Sequence, residues 1–204
     1  MNSTIIYLVR HAQTQSNIAG FYMGWSEEDL SEDGKTQVQR LSSSLAKLPI
    51  ESVYTSPLNR VYSTAKTIAE KFRLKPQVTP ELIEIDVGKW QGLHIDNIKK
   101  EYPEIWAQWR KDPSEFRMPG GESLNEVASR AVSSYHRIVN EVRGKQAVIV
   151  SHEVIIKLIV IHVLGAPLSI YRRFEIDNAS VSSIRILEHR SAVINLNDTS
   201  HLEE

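Results

Sequence analysis

Two short apolar runs limit what this chain can fold into more than any other feature: residues 4–9 (TIIYLV) and 147–150 (AVIV). Neither alternates polar with apolar positions, so a strand made from either has no face to give to water. Such strands belong to sheets covered by helices on both sides. The segments between them carry the matching helical period. Val38, Leu41, Leu45 and Leu48 recur every three or four residues, predicting a helix from Lys35 that Pro49 closes. Residues 52–55 (SVYT) then read as a second small strand, giving a βαβ pattern after a polar loop that runs to Ser31. Residues 58–72 read as a second helix with Val61, Ala65, Ile68, Ala69 and Phe72 on one face. Residues 78–85 are expected to be extended. Ser123 and Glu126 form an S-x-x-E capping box that should start a helix reaching about Val142, and 154–164 reads as a buried helix. Strands are expected at 174–176, 181–187 and 192–196, with a turn near 188–191. The expectation is an α/β chain forming one domain over residues 1–204.

Residues 86–121 break this rhythm. They hold Trp90, Trp106 and Trp109 with His94, Tyr102, Phe116, Arg110, Lys111 and Arg117, and prolines at 103, 113 and 119. The stretch reads as a short helical insertion covering something, a lid.

Bulk composition narrows the partners. With 24 Lys and Arg against 25 Asp and Glu, the net charge of -1 gives no footprint for nucleic acid. The absence of cysteine excludes disulfides, thiolate metal sites and cysteine nucleophiles, and makes the cytoplasm the expected compartment. The start of the chain has no basic leader, and the oily segment 154–166 is short and broken by Lys157 and His162, so no membrane span is expected. Three N-x-[ST] sequons, at Asn2, Asn178 and Asn197, carry no weight without a secretory signal.

Two local motifs fail on inspection. Gly34-Lys35-Thr36 resembles the end of a phosphate-binding loop, but Asp29 stands where the first glycine belongs. His152-Glu153 would begin a zinc-binding H-E-x-x-H, but Ile156 takes the place of the second histidine. No G-x-S-x-G or G-x-G-x-x-G is present. What remains lies at predicted strand ends, where open α/β sheets bind ligands: Arg10 and His11 after the first strand, Arg60 just past the SVYT strand, and His152 after AVIV. Guanidinium groups grip phosphate oxygens in pairs, and imidazole is a nucleophile toward phosphorus. Thr14 and Asn17 in the loop after His11 add neutral donors that suit a tetrahedral anion. The cluster reads as a phosphate site.

The motifs stand in a recognisable order. R-H-[GA]-x-T appears as Arg10-His11-Ala12-Gln13-Thr14, with Asn17 following, and L-S-x-x-G as Leu30-Ser31-Glu32-Asp33-Gly34. S-x-L-x-R-x-x-x-T-A runs from Ser56 to Ala65 around Arg60, and L-x-E-x-x-x-G-x-W-x-G from Leu82 to Gly92 around Glu84. Gly120-Gly121-Glu122-Ser123 and Val150-Ser151-His152 complete the set. Over nearly its whole length the chain resembles the histidine phosphatase superfamily, also called phosphoglycerate mutase-like, in its small bacterial phosphatase branch. The resemblance implies a three-layer α/β/α fold with a mostly parallel sheet and a small helical lid. It implies that His11 is the nucleophile, that Arg10, Arg60 and His152 neutralise the phosphoryl oxygens, and that Glu84 serves as general acid and then general base. Gln13, Thr14 and Asn17 join the substrate-binding set, and neither metal nor cofactor is called for.

The implied activity is metal-independent hydrolysis of a small phosphate ester. Ribazole phosphate, phosphoglycerate-type esters and phosphoserine are the candidates, with Val87 standing where phosphoserine-acting members usually carry His. Phosphoglycerate mutase-type phosphotransfer is the alternative, and a non-catalytic module that binds a phosphorylated metabolite is a third reading. Glu153 departs from the small residue usual beside the second histidine: it should raise the proton affinity of His152, repel an anion, or favour the start of the following helix. His201 near the chain's end is expected either to approach the pocket or to be a loose terminus. A homodimer through an exposed sheet edge is compatible with the strand-rich end.

Overall fold

The computed structural model describes residues 3–203, so Met1, Asn2 with its sequon, and Glu204 lie outside the described residues. The TIIYLV run forms β1 (Thr4–Arg10). The supposed polar loop then holds a short helix, α1 (Gln15–Ala19), and a two-residue strand, β2 (Phe21–Tyr22). There follow α2 (Glu32–Leu45), β3 (Ile50–Thr55), α3 (Asn59–Lys71) and β4 (Gln77–Val78). Next come β5 (Leu93–His94), α4 (Ile95–Glu101), α5 (Pro103–Lys111) and α6 (Leu124–Glu141). The chain finishes with β6 (Gln146–Ser151), α7 (Glu153–Leu164), β7 (Val181–Ile186) and β8 (Ser191–Asp198).

One six-stranded sheet runs in the order β4-β3-β6-β1-β7-β8, with β4, β3, β6 and β1 parallel and β7 and β8 added antiparallel. Side chains on successive strand residues go to opposite faces, and here both faces are dry. Ile6, Leu8, Ala147, Ile149 and Ile184 pack toward α6, α7 and the 86–121 insertion. Tyr7, Val9, Val148, Val150 and Val53 pack toward α2 and α3. The result is a three-layer α/β/α architecture with a mostly parallel sheet and a small helical insertion.

Ser123 caps α6 as a capping box, its hydroxyl accepting from the Glu126 N–H while the Glu126 carboxylate accepts from the Ser123 N–H. Several expectations need correction. The helix expected from Lys35 begins a turn earlier, at Glu32, because the Ser31 hydroxyl caps it by accepting from the Gly34 N–H. Residues 78–85 are not extended: Pro80, fixed in φ and without an N–H, ends β4 and starts a 3₁₀ turn, Pro80–Leu82. Residues 174–176 form no strand: the segment is irregular and takes no place in the sheet, where β1 is flanked by β6 and β7. The βαβ pattern holds only at a distance, because β6 inserts between β1 and β3.

Candidate active site

That insertion of β6 brings three strand ends together. The ladder continues past the strands: the His11 N–H donates to the Ser151 carbonyl at 2.9 Å and the Ser56 N–H to the Val150 carbonyl at 3.3 Å. Arg10 and His11, Arg60 in the first turn of α3, and His152 just before α7 therefore share one end of the sheet. His11 and Arg60 are buried, at 3% and 2% exposure, and His152 is fully buried. Arg10, His11 and Arg60 border a cavity of about 430 Å³ that Asn17 and Glu84 also line. The His152 ring lies behind that wall, edge-on to His11 with centroids 5.3 Å apart.

Hydrogen bonds fix which atoms are free for chemistry. His11 Nδ1 lies 2.8 Å from the Ala12 carbonyl, and a carbonyl only accepts, so Nδ1 carries the proton and Nε2 is bare. Burial, followed by the charges of Arg10 and Arg60, holds the His11 pKa well below the ordinary value, keeping the ring neutral. His152 is lowered in the same way, by burial first and then by Arg60, His11 and Arg10. Its Nε2 lies 2.9 Å from the Ser56 hydroxyl, and its buried Nδ1 has no hydrogen-bond partner. The Arg10 Nε is likewise buried and unpartnered, while an Nη1 donates to the Ile176 carbonyl at 2.6 Å. Arg60 donates to the Ser26 and Gly24 carbonyls at 2.7 and 2.8 Å.

Glu84 enters from the loop after Pro80–Leu82. Its backbone is clamped by Ser151, whose hydroxyl donates to the Leu82 carbonyl, and by Arg130, which donates to the carbonyls of Ile83 and Glu84. The indole N–H of Trp25 also donates to the Glu84 carbonyl, at 2.7 Å. One carboxyl oxygen, Oε1, accepts from the Ile85 N–H at 2.8 Å, and Oε2 lies 4.0 Å from His152 Nδ1. Burial outweighs the Ile85 hydrogen bond and the Arg60 charge, pushing the carboxyl up to about 7.

The structure divides the loop residues. Asn17 lines the cavity, its Oδ1 accepting from the Thr14 N–H and from the Asn178 amide, which leaves its own amide donors for a ligand. Thr14 and Gln13 do not line it. The Thr14 hydroxyl accepts from the Asn17 N–H as the cap of α1, and Gln13 Oε1 accepts from the Ser31 hydroxyl, tying the loop to the start of α2. Both side-chain oxygens are engaged within the loop. Close approach is enforced at Gly34, where a Cβ would sit 2.1 Å from the Gln13 carbonyl oxygen.

Glu153 is turned away from His152. It pairs with Arg10 at 3.3 Å and with Lys157 at 2.8 Å, and these cations outweigh its burial to hold its carboxyl below the usual value. It stands in the first turn of α7, where a carboxylate favours the helix dipole. His201 stays outside the cavity and lies 3.1 Å from the Ala179 carbonyl, whose N–H donates to the carbonyls of Arg10 and His11. Of the insertion's aromatics, Trp109 lines the cavity and Trp90 is core. Sequence reading missed Tyr22, Glu28, Lys157, Tyr171, Arg172 and Glu175 in the wall. Lys157 carried a signal, a lone charge inside an apolar helix.

Among the described residues no group of three or more His, Asp or Glu is placed to hold a metal ion, and no helix is long and apolar enough to cross a membrane. The family model of the histidine phosphatase superfamily (branch 1) matches residues 6–199. Phosphoserine phosphatase 1 of Hydrogenobacter thermophilus is 37% identical over 199 residues, covering 98% of this chain and 94% of that protein. The solved structure of Bacillus stearothermophilus YhfR superposes with a TM-score of 0.93 at 28% identity, over 98% of this chain and 100% of that one. A mycobacterial glucosyl-3-phosphoglycerate phosphatase, Rv2419c, superposes with a TM-score of 0.88 at 26% identity, over 97% and 100%.

Proposed function

The chain belongs to the histidine phosphatase superfamily and is a phosphoric monoester hydrolase that works through a phosphohistidine, and from this we propose a role for each residue of its site. Nε2 of His11, bare and neutral, attacks phosphorus in line, forming the N–P bond as the ester P–O bond breaks. Arg10, Arg60 and the Nδ1–H of His152 hold the nonbridging oxygens, with Asn17 as a neutral donor. The unpartnered donors of Arg10 and His152 are satisfied when a phosphoryl group arrives. In this reading the Ser56 hydroxyl donates to His152 Nε2 and the imidazole proton sits on Nδ1, which lies 4.0 Å from Glu84 Oε2.

Glu84, protonated near neutral pH because its carboxyl titrates at about 7, gives its proton to the departing alkoxide oxygen. The alcohol leaves. The carboxylate then takes a proton from a water whose oxygen attacks phosphorus, forming a P–O bond as the N–P bond breaks, and phosphate is released as Glu84 and His11 return to their starting states. The observation that carries this reading is the meeting of a proton-free imidazole nitrogen and a proton-bearing carboxyl group in one cavity.

The substrate is a small phosphorylated metabolite in the cytoplasm. Phosphoserine and phosphoglycerate-type esters lead, since the similar proteins above are named for phosphoserine and glucosyl-3-phosphoglycerate, and ribazole phosphate stays on the panel. Residues 86–121 are its lid, Trp109, Arg110 and Met118 contributing to the cavity wall. The homodimer has its candidate edge in β8, where Ile194 and Leu196 are exposed, and sedimentation over a concentration series checks it.

The test is release of inorganic phosphate from p-nitrophenyl phosphate with chelator present, first by the native chain and then by His11→Ala. Hydrolysis that survives chelation and disappears in His11→Ala is the expected result. Full turnover by the variant overturns the nucleophile. An isomerised ester formed from 3-phosphoglycerate without free phosphate would assign the chain to mutase-type transfer instead.

A further inference from the structure

The phosphoryl group accounts for Arg10 and Arg60, and Lys157 is already neutralised by Glu153 at 2.8 Å and Glu175 at 3.6 Å. Two other cations line the same cavity, Arg172 and Arg110, and among the described residues neither has a carboxylate within ion-pair distance. Arg110 is exposed and lies over the Trp106 ring at 5.9 Å. Arg172 is differently held. Its guanidinium lies 4.8 Å from the centroid of Trp109 and 6.0 Å from that of Tyr171, and an Nη2 donates to the Trp109 carbonyl at 2.9 Å.

That one hydrogen bond leaves most of the fork idle. The Arg172 Nε is buried with no partner. A guanidinium kept for architecture alone would have its in-plane donors filled, because an unpartnered buried donor is destabilising and rare. Here the guanidinium lies over the Trp109 ring and the side chain lines the cavity, so Nη donors beyond the one given to the Trp109 carbonyl remain for a planar or tetrahedral oxyanion. The platform is fixed as well: Trp109 packs on Phe116 at 5.4 Å and on Tyr171 at 6.0 Å. An arginine stacked and positioned before any ligand arrives loses little freedom on binding.

We propose that Arg172 is a specificity-determining residue that takes a second anionic group of the substrate, a carboxylate or a second phosphate, while the scissile phosphoryl group rests on Arg10 and Arg60. The inference rests on the reading of the site given above and deepens it: the substrate is a dianionic phosphate ester bearing a further oxyanion. Arg110, at the exposed side, adds a cation on the route in. Lys157 is already ion-paired with Glu153 and Glu175, which leaves Arg172 to dominate the choice.

The experiment compares kcat/KM for 3-phosphoglycerate and for glycerol 3-phosphate, which differs by a hydroxymethyl group in place of the carboxylate, and for propane-1,3-diol bisphosphate against propyl phosphate. The native chain should favour at least one anion-bearing ester. Arg172→Gln should shrink that preference by about 10- to 100-fold, chiefly through KM, and Arg172→Lys should keep part of it, since charge survives without the fork. Loss of the preference for 3-phosphoglycerate identifies a carboxylate, and loss for the bisphosphate identifies a second phosphate. A native chain with no preference in either pair overturns the proposal, as does a preference undiminished in Arg172→Gln. Because the native comparison needs no variant, a misfolded Arg172→Gln leaves the question decidable, with Arg172→Lys as the second variant. Calorimetric affinities of the same pairs read Arg172 even if no ester is turned over, which separates its failure from failure of the hydrolytic reading.

Discussion

At the scale of single residues, two protonation states carry the chemistry, and both are set mainly by burial. Glu84→Gln keeps the shape and loses the proton, so turnover of alkyl esters should fall by about 10²- to 10⁴-fold. With p-nitrophenyl phosphate, whose leaving group needs little protonation, the same variant should release a burst of one nitrophenolate per chain and then stall, as water attack lacks its base. Stopped-flow absorbance reads this directly. The first step in the native chain should stay level on the acid side through pH 6, because the His11 pKa is held well below its ordinary value, and should decline above about pH 7 as Glu84 loses its proton. Stability has the same origin. The Glu84 carboxyl rises from 4.5 to about 7 on folding, so its favourable term is present at low pH and is lost as pH climbs through 7. Glu84→Gln should therefore gain on the native chain between pH 5 and 8, by on the order of 3 kcal/mol at most, in urea melts.

At the scale of elements, the helices and long strands were legible because burial writes its period into the sequence. α3, α6, α7, β1 and β6 fall within a residue or two of where spacing and caps placed them. The short pieces were not legible. β2 and β5 pair only with each other, and α1 is five residues long, too short for any period to emerge. Within the site, strand ends announced Arg10, His11, Arg60 and His152, whereas Gln13 and Thr14 share their motif and serve the loop. No local pattern distinguishes a threonine that caps from one that binds. Arg172 and Tyr171 reach the cavity from a 3₁₀ turn far along the chain, and only the tertiary fold places them there. Two substitutions separate scaffold from site. Ser123→Ala, which removes the α6 cap, should cost about 1 kcal/mol in a urea melt with kcat unaltered. Gly34→Ala forces a methyl into the Gln13 carbonyl, and should cost about 1–3 kcal/mol and also lower kcat/KM, because the displaced loop carries His11.

At the scale of the whole molecule, the strand order explains why residues from positions 10 to 152 act together. β6 lies between β1 and β3, and the same three strands bind the two cores on either face. Ligand binding and folding should therefore be coupled. Inorganic phosphate at 100 times its Kd should stabilise the native chain by about 2.7 kcal/mol, seen as a rise in Tm, and the rise should shrink in Arg60→Ala. The covalent step itself is the most direct test of all. The native chain is mixed with a saturating phosphomonoester, quenched within milliseconds in base, and mapped by mass spectrometry. An acid-labile, base-stable phosphoryl group on His11, which vanishes as the ester is consumed, is the expected result; hydrolysis that proceeds with His11 never modified, or with phosphate on another side chain, contradicts it.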